Sequence, residues 1–323
     1  MMRKSRSLAS LGMTGDCHSE RSEESALGPG IGLLLLGGLI ATSSILGPLV
    51  VGVIKFHVSA GAEAQLVGGE VVSLFIVAPL AMIAGVLWLR RNPLAPTLAL
   101  GPAGYSLYMY VQYVVGTQYE RYPGNNEYAF PLYLTLIILS WSIGISAWRA
   151  LAATPLPRFS SGTRRTLAGL MLVLNVMFAF AWLGSIATVL RGPSTSPTWQ
   201  EYARDQTLFW LVRMMDLGFV IPASLAIAVG LLRRARWGEM LVYAFLGFQT
   251  LMVAAVAGMA IMMAVRSDPS ASPVLLGVSA LIALMLAAIF GSLLRKLALA
   301  AGMEGFGDAN DATLKRIQPT AVR

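Results

Sequence analysis

The sequence predicts an all-α polytopic membrane bundle of about eight transmembrane helices, built as two parallel four-helix repeats. Three observations carry this expectation. The chain is 56% hydrophobic and only 12% charged, with a mean hydropathy of +0.67, outside the range of soluble globular domains. Eight stretches approach the roughly 20 apolar residues that a helix needs to cross a bilayer core. Finally, residues 71–91 (VVSLFIVAPLAMIAGVLWLRR) recur as residues 214–234 (MMDLGFVIPASLAIAVGLLRR) without a gap, at an offset of 143. The copies share Leu74/Leu217, Val77/Val220, Pro79/Pro222, Val86/Val229, Leu89/Leu232, Arg90/Arg233 and Arg91/Arg234. An aligned proline and an aligned double arginine are harder to obtain by chance than aligned leucines.

Taken in order, residues 1–28 form a polar N-terminal tail without the apolar core of a signal peptide. The run CHSERSEES (17–25) resembles peptides read from interspersed bacterial genomic repeats. On that reading translation starts downstream and Cys17 and His18 carry no function; the alternative is an ordinary disordered tail. The first repeat is expected over 29–153, with spans at about 31–54, 70–89, 95–117 and 130–150. A cytoplasmic linker follows over 154–166, with Pro155, Pro157 and three arginines. The second repeat covers 167–297, with spans at about 167–190, 208–232, 240–265 and 273–294. A polar C-terminal tail occupies 298–323. Four spans per half is an even number, so both halves enter the membrane in the same direction, as parallel repeats about an axis along the membrane normal.

Charge placement sets the orientation. With the N-terminus inside, 18 of the 24 lysines and arginines fall on inner segments. Both termini are therefore expected in the cytoplasm of a bacterial inner-membrane protein. The net charge of +8 is explained by topology, and no nucleic-acid partner is expected. One cysteine and two histidines leave no disulfide and no metal cluster, and no metal or other cofactor is expected.

Three groups of polar residues fall within or beside the spans. Glu70 and Arg213 each lie 20 residues before an arginine of the double-arginine stop, which puts both about 30 Å from the inner boundary. They are opposite in sign and able to pair across the axis; Arg213 can instead pair with Asp216 on its own helix. One reading is an outward-facing polar pocket, the other snorkelling to the interface with a structural ion pair. Tyr105, Tyr108, Tyr110 and Tyr113 crowd the third span, with Tyr105, Tyr108 and Gln112 on one helical face. Tyr105 and Tyr108 lie too deep for an interfacial belt, so their hydroxyls need partners inside the bundle. Glu120 and Glu127 follow in the outer loop. Asn175 and Gln249 read as interhelical contacts, and Pro79 and Pro222 as kinks. The chain has no Walker motif, GxSxG elbow, HExxH or intramembrane Asp pair, and no catalytic set is proposed.

The pattern GGEVVSL…AP, LRR, GYSLYMYVQYVVG, EYAFPLYLTLIILS and MMDLGFVIPA…GLLRR resembles a family of uncharacterised bacterial multi-pass membrane proteins. Its members carry an acid before the second span's proline, a tyrosine-rich third span and an Asp-Leu before a proline in the sixth. The matching positions are Glu70, Tyr105, Tyr108, Tyr110, Asp216 and Pro222, over about 68–296. The resemblance implies that the outer-half acids and tyrosines form one site and implies no particular activity. The expected ligand set is Glu70, Tyr105, Tyr108, Tyr113, Glu127, Arg213 and Asp216, taking a small molecule or a lipid for binding or transport. The alternative is a structural or sensory module that acts through protein partners at its outer loops, with lipid chemistry by an enzyme as a third reading.

Overall fold

The computed structural model describes residues 14–269 and 271–317. The ends of both tails and the side chains of Cys17 and His18 lie outside the described residues. Among the described residues there are helices and no strands. In order they are α1 (Thr14–Leu46), α2 (Ala60–Val72), α3 (Ala78–Leu89), α4 (Ala95–Val115), α5 (Phe130–Ala153), α6 (Ser161–Leu190), α7 (Pro197–Arg204), α8 (Gln206–Met215), α9 (Ile221–Leu232), α10 (Arg236–Val265) and α11 (Pro273–Ile317). A π-helical turn, Ser73–Val77, joins α2 to α3, and another, Asp216–Val220, joins α8 to α9.

Seven helical segments are long and apolar enough to cross a membrane, which makes this a multi-pass membrane protein. The remaining predicted span is α4. Its 21 residues reach roughly 31 Å, but its tyrosines, prolines and Gln112 lower its apolarity. It is nevertheless well buried, with Tyr105, Tyr108, Met109, Tyr110 and Tyr113 all enclosed.

The second span begins earlier than expected. Residues 60–69 (AGAEAQLVGG) are too rich in glycine and polar groups to register as apolar, yet they form the first turns of α2. The Ser59 hydroxyl caps this helix, accepting the Ala62 N–H at 3.2 Å. Glu70 therefore sits ten residues inside the helix, about 15 Å from its start.

Several backbone features recur at the 143-residue offset. The two π turns correspond, as do α3 and α9, and α5 and α11 start at corresponding residues. Pro79 and Pro222 each stand second in the helix after the π turn. A proline offers no N–H to the carbonyl four residues back, and the wider turn accommodates that loss. The N–H groups of Ala78 and Ile221 reach back to Ser73 O and Asp216 O instead. Arg91 and Arg234 close α3 and α9 with φ of 56° and 58°. The next residues, Asn92 and Ala235, donate their N–H to Leu87 O and Gly230 O at 2.9 Å, the bonding of a Schellman end.

Helix packing places α4 and α10 at the centre. α4 packs on α3, α5 and α10, while α10 packs on α2, α4, α9 and α11. One apolar core fills the first half and takes Leu251, Met252 and Ala255 from α10. A second joins α6, α9, α10 and α11. Corresponding contacts differ in extent. α2 docks along α10 through Gly68 and Gly258, where an added Cβ would come within 2.5 Å of the facing backbone. Its counterpart α8 meets α4 over a much shorter stretch, and the α1–α5 contact has no comparable α6–α11 counterpart.

At one end of the bundle, loops from both halves are tied together. Gln118 and Tyr122 donate to Arg204 O at 2.8 and 3.0 Å, and Ser59 donates its N–H to Asp205 at 2.9 Å and its hydroxyl to the same carboxylate. Arg266 pairs with Glu63 at 3.0 Å. At the opposite end Arg164 and Arg158 pair with Glu239 at 3.1 and 3.8 Å, and Arg236 donates to Ala152 O at 3.4 Å.

Candidate functional site

The residues singled out from the sequence separate into three places. The first is a seam where α4, α6 and α8 approach one another. Asp216, the first residue of the second π turn, accepts from the Tyr108 hydroxyl at 2.6 Å and from the Trp182 indole N–H at 2.8 Å. Tyr108 belongs to the first half, and Trp182 and Asp216 to the second. Arg213, one turn back, is buried and donates to Glu201 at 3.3 Å and to Ser185 at 3.3 Å. Its guanidinium lies 4.5 Å from the Trp182 ring centroid and 3.5 Å from that of Phe209. Asp216 and Trp182 remain partly exposed on the surface of the bundle.

The second place is a buried nest in the first half. The Glu70 carboxylate is 1% exposed, and neither of its oxygens has a hydrogen-bond partner. The Leu49 amide approaches it outside hydrogen-bonding geometry. Gly47 faces it so closely that a Cβ there would sit 2.3 Å from Glu70 Oε1. Tyr110, Tyr113 and Tyr133 pack ring against ring, with centroids 5.4 to 5.8 Å apart. Glu70 lies near enough to act electrostatically on all three phenols. The Ser43 hydroxyl lies near those of Tyr110 and Tyr133, and neither it nor the Tyr133 hydroxyl makes a bond within hydrogen-bonding geometry.

Glu70 and Arg213 thus do not pair, contrary to one expectation from their spacing. As counterparts on corresponding helices, each turns toward the first helix of its own half. Glu70 faces Gly47 just past α1, and Arg213 faces Ser185 and Trp182 on α6. Arg213 also takes Glu201 rather than Asp216 as its ion-pair partner.

Tyr105 and Tyr108, placed together on one face, point to different neighbours. Tyr105 donates to Gly69 O at 3.2 Å and accepts from Ser73 at 2.8 Å. Ser73 opens the first π turn as Asp216 opens the second, so α4 supplies one tyrosine to each. Phe248 and Leu251, the counterparts of these tyrosines on α10, carry no hydroxyl.

The third place is the loop between α4 and α5, where Glu127 is held by His57. The imidazole Nε2 lies 2.9 Å from the Glu127 carboxylate and Nδ1 lies 2.6 Å from Tyr122 O. Both nitrogens face acceptors, so both bonds form when the ring carries two protons. Gln249 has no counterpart role at these places, and Asn175 is buried with its amide nitrogen unpartnered. A shallow cleft of about 500 Å³ opens beside these loops, lined by Ser59, Gly61, Arg204, Arg266 and Asp268 among others; it contains none of the expected ligand residues.

Sequence reading missed Trp182, Ser73, Ser43 and Gly47. Ser73 was available from the repeat, since it aligns with Asp216. The others come from segments outside the aligned copies. No group of three or more His, Cys, Asp or Glu side chains able to hold a metal occurs among the described residues. No family model matches the chain, and no match is found among curated proteins or solved structures.

Proposed function

We propose that the protein is an eight-span carrier or receptor for a small molecule or lipid head group, made of two parallel four-helix repeats. We place it in the bacterial inner membrane with both termini cytoplasmic. Eight spans follow if α4 crosses together with the seven more apolar segments. Its C-terminal loop bonds to the loops that follow α1 and α7, which puts all three at one end. The corresponding π turns, prolines and αL arginines favour the repeat, because such strained features seldom recur by accident at one fixed offset.

The observation that carries the binding reading is the partly exposed Asp216 carboxylate, held by a tyrosine of one half and a tryptophan of the other. Ionisable groups within spans usually line a pathway or pocket, and π turns concentrate at functional sites. Matched interrupted helices in two repeats are a feature of transporter binding sites. The test is native mass spectrometry of the protein released from vesicles of phosphatidylethanolamine and phosphatidylglycerol. Wild type is expected to retain bound lipid or solute that Asp216→Asn loses, while both insert equally. Equal retention by the two proteins removes Asp216 from the site.

A second reading, a sensory or structural module, is favoured by the outer end. There α7 presents Trp199 and Tyr202 beside firmly tied loops. For that reading partner binding would follow changes in 191–206 and ignore Asp216.

A further inference from the structure

Glu70 has what an ion site needs and no hydrogen-bond partner, the Leu49 amide approaching it outside hydrogen-bonding geometry. Its carboxylate is 1% exposed within a membrane-spanning helix and its two oxygens lack partners. The charge that acts on it is that of Glu63, of the same sign and on the same helix. From α4 it faces Tyr105, Tyr110 and Tyr113, and from α5 Tyr133, all of them hydroxyl-bearing. A lone carboxylate taken out of water is strongly unfavourable unless it is neutralised. Here no arginine is at hand, because the counterpart Arg213 is committed to Glu201 in the other half.

The chemistry of the surroundings selects what neutralises it. The atoms around it without hydrogen-bonding geometry are all oxygens: both of Glu70, and the Ser43 and Tyr133 hydroxyls, which lie close to one another. Ser43 lies one turn before Gly47, whose N–H donates to Ser43 O at 2.9 Å. Gly47 in turn leaves the space the carboxylate occupies. Hard oxygen ligands suit a hard cation, and a single carboxylate balances a single positive charge. Calcium and magnesium sites generally recruit more carboxylate or keep several waters, which this enclosed nest does not favour.

We propose that Glu70, with the Ser43 and Tyr133 hydroxyls, forms a buried site for a monovalent cation, a proton or Na⁺. It does not require that the protein moves a solute, and it is independent of Asp216.

The test uses the full chain in lipid nanodiscs, with thermal unfolding followed by intrinsic fluorescence. One arm titrates NaCl against choline chloride at fixed ionic strength and pH; the other varies pH without sodium. A ligand that binds only the folded state raises the midpoint with its concentration. Sodium-dependent stabilisation of wild type that is lost in Glu70→Gln and weakened in Ser43→Ala identifies Na⁺. Stabilisation by acid alone, again absent in Glu70→Gln, identifies the proton. Gly47→Ala, which keeps the charge but crowds the carboxylate, is expected to weaken whichever dependence is found, and it serves if Glu70→Gln does not fold. The proposal is overturned if Glu70→Gln or Gly47→Ala responds to sodium and pH as wild type does. Because Asp216→Asn should leave this ion dependence intact, failure here and failure of the lipid-retention test are separate results.

Discussion

Arg91 and Arg234 hold a backbone conformation that most side chains avoid, with φ near +57° at both. Glycine would take it without strain, and the left-handed region costs a non-glycine residue about 1–2 kcal/mol. The recurrence of arginine there makes sense if the residue's charge matters more than its backbone comfort, as charge does at the ends of membrane spans. Replacing Arg234 with glycine is therefore expected to raise unfolding stability by about 1 kcal/mol while weakening the inner charge bias; an unchanged or lower midpoint would argue against strain at that turn. At this scale the sequence spoke unevenly. The double arginine and its repeat were plain in the text of the chain, whereas the partners of Glu70 and Arg213 were not. Spacing along one helix fixes depth, but rotation toward a neighbour depends on which helices pack, and that is decided by contacts between residues distant in the chain, such as Gly68 with Gly258.

The helices show the same division between what periodicity carries and what packing decides. Hydropathy located the apolar segments, but it cut α2 short because glycines and Gln65 dilute its first turns. Those glycines are where the helix docks. An alanine at Gly68 would place its Cβ 2.4 Å from Gly258 O, and overpacking of this kind typically costs about 1–3 kcal/mol. In α5, by contrast, a Cβ at Gly144 meets nothing within 4 Å. There alanine removes a flexible helix residue and is expected to stabilise by up to about 1 kcal/mol. Measuring the two variants side by side separates helix propensity from docking. Equal effects would mean that α2 and α10 are not in backbone contact. The prolines suggested kinks; the backbone carries a π turn just before each of them. Only the backbone bonds of Ala78 to Ser73 and Ile221 to Asp216 identify a π turn and explain why Ser73 and Asp216 are the residues on offer to α4.

Across the whole molecule, the two halves proposed as repeats meet through unlike seams. On one side α2 lies against α10 glycine to glycine; on the other α8 stands off from α4, with Tyr108, Trp182 and Asp216 bridging the space. A repeat read from sequence implies likeness and is silent on this difference, which is where the candidate binding seam arises. The claim beneath every reading given above is that the chain crosses the membrane eight times with corresponding residues of the halves on the same side. Single cysteines placed on a Cys17→Ser background and labelled with an impermeant thiol reagent in intact cells test it directly. Residues 120, 200 and 269 are expected to label from outside, and residues 93, 158 and 236 only after the membrane is opened. If α4 does not cross, residue 120 will report the same side as residue 93, residues 158 and 200 will exchange sides, and the parallel eight-span account is wrong.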